Sequence, residues 1–249
     1  MSIFTKIILM KNWIPAVFFL TLFSCQTAKI KNETYKTATS TVELGAIGQT
    51  DGFIINKAFT SKAYPKLENK IRLDVQIVPF TKKLNKTYIS RQKYNQSQAK
   101  ITYVDSLDVK PELAVLSILD ISGYISELNT ADNEEAFRFI KNTKKGTAVS
   151  SIAIALNTAD IAKIRQADAY YLVNRQDKKY NLALFKLGKQ TELLDLDPTV
   201  IIAYQLAYFC WAENKKGQWV IADMNKNHSC KGNTYQNIRE DKEQNLFKM

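Results

Sequence analysis

The sequence holds one histidine, His228, in 249 residues, so any mechanism that needs two is excluded. Its three cysteines, Cys25, Cys210 and Cys230, show no short paired spacing of the kind a structural zinc site uses. No Gly-x-Ser-x-Gly elbow, Walker loop, Rossmann glycine pattern or His-Glu-x-x-His helix occurs, which leaves serine-hydrolase, nucleotide and metalloprotease readings without positive support. Beyond residue 24 no apolar run approaches the roughly 20 residues that a membrane-spanning helix needs. No Pro/Gly linker, internal repeat or long low-complexity block divides the chain.

What is present begins with export. Residues 1–24 carry Lys6 and Lys11, no acidic side chain, and a mainly apolar run over 13–23, the profile of a signal peptide. The run Leu22, Phe23, Ser24, Cys25 resembles the lipobox of bacterial lipoproteins: leucine, a tolerant position, a small residue, then cysteine. The resemblance implies cleavage before Cys25, diacylglycerol on its thiol, and further acylation (palmitate) of the new amino terminus. Two or three chains anchor stably where one binds only marginally. Gln26 resembles residues compatible with sorting to the outer membrane, so the expected location is the cell envelope, on the outer membrane of a two-membrane bacterium and bordering the periplasm. The lipid bilayer is then one expected partner.

Processing would leave 33 basic against 24 acidic residues, unevenly placed. Residues 25–110 hold 15 basic and 7 acidic side chains, whereas residues 111–249 hold 18 and 17. Residues 75–104 contain no acid but carry Lys82, Lys83, Lys86, Arg91, Lys93 and Lys100, with Tyr88, Tyr94 and Tyr103 among them. Such a segment suits an anion-binding surface for acidic glycan or lipid, or a solvated lysine-rich face held near an anionic membrane. Nucleic acid is not an expected partner of an exported lipoprotein.

With Cys25 lipidated, Cys210 and Cys230 remain as an even pair in a compartment where disulfides persist, and a disulfide is expected. Weaker readings share these residues: a Cys210–His228 dyad, a zinc site of Cys210, His228 and Cys230, or a calcium loop over 223–227. The last has His228 where a glycine is needed and Thr234 where a bidentate glutamate is needed. No metal and no cofactor is expected. Asp195 and Asp197 could belong to a carboxylate pair, yet beside Pro198 they read as the end of a turn.

Composition over 26–41 is polar and predicts a flexible tether, lipidated at its start (25–41). Alternation over 71–77 predicts a half-buried strand, and weaker alternation predicts others over 100–104, 150–156, 169–173 and 180–187. Residues 200–211 read as a central strand leading through a turn at 214–217 into 219–222. Helices are expected over 132–142, with Asp132 and Glu135 as a capping box, and over 158–167, capped by Thr158. Residues 113–128 fit neither period. The expected fold is α+β, a mainly antiparallel sheet with two or so helices and one disulfide. Charge asymmetry suggests a basic lobe over 42–130, an α+β lobe over 131–235 and a polar tail over 236–249. The expected function is that of a non-enzymatic accessory or assembly lipoprotein docking a protein partner. The alternatives are capture of an anionic glycan or lipid through 82–100, and an envelope hydrolase using carboxylates.

Overall fold

A computed structural model describes residues 27–51, 58–95, 101–143, 145–175, 179–227 and 229–238. Cys25 and the lipobox, Lys100 and His228 lie outside the described residues. The strands are β1 (Thr27–Ile30), β2 (Glu33–Thr37), β3 (Ile47–Asp51), β4 (Ala58–Ala63), β5 (Ile71–Pro79) and β6 (Glu112–Ile118). They continue with β7 (Thr147–Ile154), β8 (Ala169–Arg175), β9 (Lys179–Lys186), β10 (Lys189–Asp195), β11 (Ile201–Glu213) and β12 (Trp219–Asn225). The described helices are α1 (Lys82–Tyr94), α2 (Ile121–Leu128), α3 (Glu134–Asn142) and α4 (Thr158–Gln166).

All twelve strands join one sheet in the order β1-β2-β11-β7-β6-β5-β8-β9-β10, with β12 beside β11, β3 beside β7, and β4 beside β3. Every pairing is antiparallel. The fold is therefore α+β with a mainly antiparallel sheet, and it carries two more helices than the pair read from the sequence. Because strands from before and after residue 130 interleave, as in β2-β11-β7-β6, the expected division into two lobes gives way to one continuous sheet. Charge asymmetry along the chain does not report a boundary here, since antiparallel pairing brings distant segments side by side.

Alternate residues sort onto two faces. On one face Ile71, Leu73, Leu116 and Ile152 meet Tyr124 and Leu128 of α2, Ile140 of α3 and Ile161 of α4. On the other face Val78, Leu113, Val115 and Ala153 meet Leu84 and Tyr88 of α1 together with Ala28, Ile30 and Tyr35 of the β1–β2 hairpin. With both faces covered, all eight residues of β7 are buried, small Ala153 facing the hairpin side and Ile152 the other. That is why its alternation is weak in the sequence.

The tether is the largest correction. From Thr27 to Thr37 the chain is a hairpin, with Thr27 opposite Lys36 and Ile30 opposite Glu33. Its outward Thr and Lys side chains dominate the composition, but Ala28, Ile30 and Tyr35 are within 4% of full burial. Three apolar residues on one face suffice when a finished sheet supplies the opposing surface. The Tyr35 hydroxyl meets Ser151 Oγ at 3.2 Å, and Ser151 Oγ meets Ser117 Oγ at 2.7 Å.

Glu33 pins this hairpin from outside. Gln205 Nε2 and Lys226 Nζ both donate to its Oε2, at 2.8 and 2.9 Å. The hydrogen bond from Lys226, and after it the one from Gln205, hold the carboxyl below its ordinary 4.5 against a smaller effect of burial. A folded pKa below the unfolded one means that this contribution is complete above the unfolded value and is lost as pH falls through the folded value. Amide exchange at Ala28 and Tyr35 is therefore expected to quicken below about pH 4.5 before the rest of the sheet responds. In a Glu33→Gln protein that acid-triggered step should be gone; an unchanged step assigns it elsewhere.

Other expectations shift locally. Residues 113–128 split into β6 and α2, with Asp120 accepting from the Gly123 amide at 2.8 Å. Asp132 falls in a 3-10 turn (Ala131–Asn133), and α3 starts after Asn133 without a side-chain cap. Asn133 spends its amide on Lys66 and Glu127 instead. The cap of α4 is Asn157, not Thr158, accepting from Asp160 N at 2.8 Å. Residues 101–104 form no strand. The β9–β10 turn uses Leu187 and Gly188, both at positive φ, the tight hairpin geometry glycine favours. Just before the expected tail Tyr235 bridges Trp211, and within it Ile238 packs on the core, while residues 239–249 lie outside the described residues.

Candidate functional site

Two features offer chemistry: the outer face of α1 and a cleft on the opposite side of the sheet. Thr81 starts α1 by accepting the Leu84 amide at 3.2 Å, and Arg91 and Lys93 in its last turn complement the helix dipole. Leu84, Tyr88, Arg91 and Gln92 are its buried residues. At 3.6 residues per turn, Lys82, Lys83, Lys86 and Lys93 fall within roughly 100° of arc, and all four are exposed. Lys82 pairs with Asp105 at 3.5 Å, while among the described residues no carboxylate pairs with Lys83, Lys86 or Lys93.

Arg91 leaves the group that the sequence placed it in. It is 3% exposed, and its Nη2 donates to the Ser40 carbonyl at 2.7 Å. Burial lowers its pKa below that of an ordinary guanidinium, partly offset by neighbouring Tyr94. Its Nε and Nη1 lack hydrogen-bond partners. Arg91 thus fastens α1 to the segment after β2. Tyr88 is fully buried against Phe80, whereas Tyr94 is exposed.

The cleft has a volume of about 500 Å³ and is lined by Tyr64, Lys66, Asp132, Asn133, Phe139 and Asn174 among others. Its rim is the stretch 64–69, held by side chains rather than by strand pairing. Glu127, 3% exposed, accepts from the Glu68 amide at 2.7 Å and from the Asn69 amide and side chain at 3.1 and 2.8 Å. Asn133 takes both backbone groups of Lys66 at 2.7 Å, and the Tyr180 hydroxyl donates to the Pro65 carbonyl. Asn174 Nδ2 donates to the Leu67 carbonyl at 2.9 Å, while its Oδ1, buried, has no partner. Burial is the largest effect on both Glu43 and Tyr64, which hydrogen-bond each other, and it raises both pKa values. Sequence reading missed this cleft because its polar residues come from three separate stretches, 62–66, 132–135 and Asn174, with no shared spacing.

Cys210 and Cys230 are joined in a disulfide with Cα atoms 5.6 Å apart, so the Cys210–His228 dyad and the zinc reading both lose Cys210. Asp223, Met224 and Asn225 of the calcium-loop reading belong to β12 instead, paired with β11, and Asn225 at its end bonds Ser229 through both its amide atoms. Among the described residues no group of three His, Cys, Asp or Glu side chains is arranged to hold a metal. Asp195 Oδ1 accepts from Asn181 at 3.0 Å, and Asp197 caps the 3-10 turn at Pro198–Val200. No helix among the described residues is long and apolar enough to cross a membrane. Comparison with protein-family models, with curated proteins and with solved structures finds no match in any of the three.

Proposed function

We propose that this chain is an exported lipoprotein, anchored in a cell-envelope membrane through acylated Cys25, whose folded part is an accessory binding component working at that membrane. The observation that carries the reading is the joining of Cys210 to Cys230, because a disulfide of this kind persists outside the reducing cytosol, where the signal peptide and lipobox would send it. A second support is positional. Thr27 is already in the sheet, so only Gln26 lies between the anchor and the folded part, a reach of at most about 7 Å from Cys25 to Thr27.

Within this reading, two kinds of partner are favoured by separate observations. The lysine face of α1 suits anionic headgroups or glycans, the ligand class expected from the sequence. A protein partner in the same envelope could meet the sheet at β10, an exposed strand bonded to β9 whose next neighbour Leu187 is 87% exposed. The test of the anchor is Cys25→Ala. The wild-type protein should sediment with membranes and be released by detergent, and the variant should lose that retention at least tenfold, on the scale set by removing two or more acyl chains. Equal retention of both proteins contradicts lipid anchoring at Cys25.

A further inference from the structure

Anchoring at Cys25 fixes one point of the folded part, and the surface around that point has a distinct character. The chain leads from Thr27, opposite Lys36, to Thr37, opposite Ala203. The Ala38 amide then donates to the Ile202 carbonyl at 3.0 Å, and the Ser40 carbonyl accepts from Arg91 of α1 at 2.7 Å. The Thr27 end of the hairpin therefore lies toward the carboxyl end of α1, and both pack in one hydrophobic cluster.

At its amino end α1 is flanked by the stretch 101–111, whose Pro111 carbonyl accepts from the Phe80 amide at 2.8 Å. Lys82 pairs with Asp105, which also accepts from the Tyr103 hydroxyl at 2.7 Å, and Lys110 Nζ donates to the Leu107 carbonyl at 2.8 Å. These bonds hold a loop that leaves Leu107 55% and Val109 85% exposed, with Val104 partly so. Tyr94, 69% exposed, ends the helix on the same lysine-bearing side. From Lys82 to Lys93 the helix runs about 16 Å. A row of ammonium groups is thus flanked by apolar side chains left in water. A soluble polyanion would engage the lysines and leave Leu107 and Val109 solvated, whereas an anionic bilayer takes both, with charge at the headgroups and apolar side chains at the acyl boundary.

We infer that the outer face of α1, with the loop 101–111, is a membrane-docking surface for anionic lipid headgroups. It lays the folded part flat on the bilayer that holds Cys25, and so rests on the anchoring proposed above. Each lysine near an anionic surface multiplies partitioning by about fivefold, so Lys83, Lys86 and Lys93, the three not paired with Asp105, together contribute on the order of a hundredfold. The contribution is electrostatic and fades as salt shortens the ~10 Å screening length of 0.1 M solution.

The test adds the acylated protein to preformed phosphatidylcholine vesicles with or without phosphatidylglycerol, then applies a membrane-impermeant amine reagent and reads each lysine by peptide mass. Lys83, Lys86 and Lys93 should label at least about tenfold more slowly on the phosphatidylglycerol vesicles, and high salt should abolish the difference. Lys215 and Lys216, in the turn beyond β11 and about 40 Å along that strand from its α1 end, should label alike on both. In a Lys83→Gln, Lys86→Gln, Lys93→Gln protein, Lys82 should lose its protection. Equal labelling on vesicles that both retain the protein overturns the docking alone. Failure to be retained by either vesicle overturns the anchor and the docking with it.

Discussion

Replacing Cys210 and Cys230 together by alanine is expected to lower stability by about 3 kcal/mol, the chain-entropy value for a loop of twenty residues. For a folded part of this size that corresponds to roughly 6–12 °C in Tm. Cys210 is fully buried in the middle of the β11–β12 pair, opposite Asp223, while Cys230 belongs to the segment that returns along β11 to place Tyr235 opposite Trp211. Both backbone hydrogen bonds of that bridge measure 2.8 Å, and Trp219 packs edge-on against Tyr235. Opening the disulfide therefore frees residues 229–238 first, and the near-ultraviolet signal of Trp219 should change before the sheet melts. Thermal unfolding of the double variant against the wild-type protein measures the effect. An unchanged Tm would mean that the bridge constrains nothing in the folding equilibrium.

The second large effect concerns Glu127. Its carboxylate is buried in α2 and accepts three hydrogen bonds from Glu68 and Asn69, so it organises a stretch that has no strand pairing of its own. Glu127→Ala leaves two backbone donors and one side-chain donor without their acceptor, at a cost of about 2–4 kcal/mol. Glu127→Gln keeps one oxygen acceptor but turns an NH2 toward backbone N–H groups, and should cost about half as much. Because Lys66 on the same stretch lines the cleft and is gripped by Asn133, the alanine variant should also loosen the cleft, visible as faster amide exchange at Lys66 and Glu68. Chemical denaturation of the two variants decides the matter: a midpoint unmoved by Glu127→Ala would contradict the clamp.

These two predictions also mark what the sequence made legible and what it hid. β5 and β11 were readable because β5 alternates strictly and β11 is a nearly continuous apolar run rich in Val, Ile, Tyr and Phe. The disulfide followed from cysteine arithmetic. Helix α1 was hidden because its buried face includes Arg91 and Gln92, which read as surface until Ser40 and the Thr199 carbonyl receive them. The hairpin at Thr27–Thr37 was hidden because its outward residues set the composition while three inward ones set the structure. The cleft was invisible because Tyr64, Asn133 and Asn174 converge through topology alone. The lysines of α1 were legible as a cluster, but the segregation of Arg91 from them, and the exposed Leu107 and Val109 beside them, needed the folded chain.

The proposed anchor at Cys25, so near the start of β1, predicts that the folded part lies directly against the membrane. Neutron reflectometry of the acylated protein on a supported phosphatidylglycerol-containing bilayer tests it most directly. The expected profile has protein density continuous with the headgroups. A water-filled layer about 20 Å thick between headgroups and protein, the height a flexible chain over 26–41 would create, would contradict it.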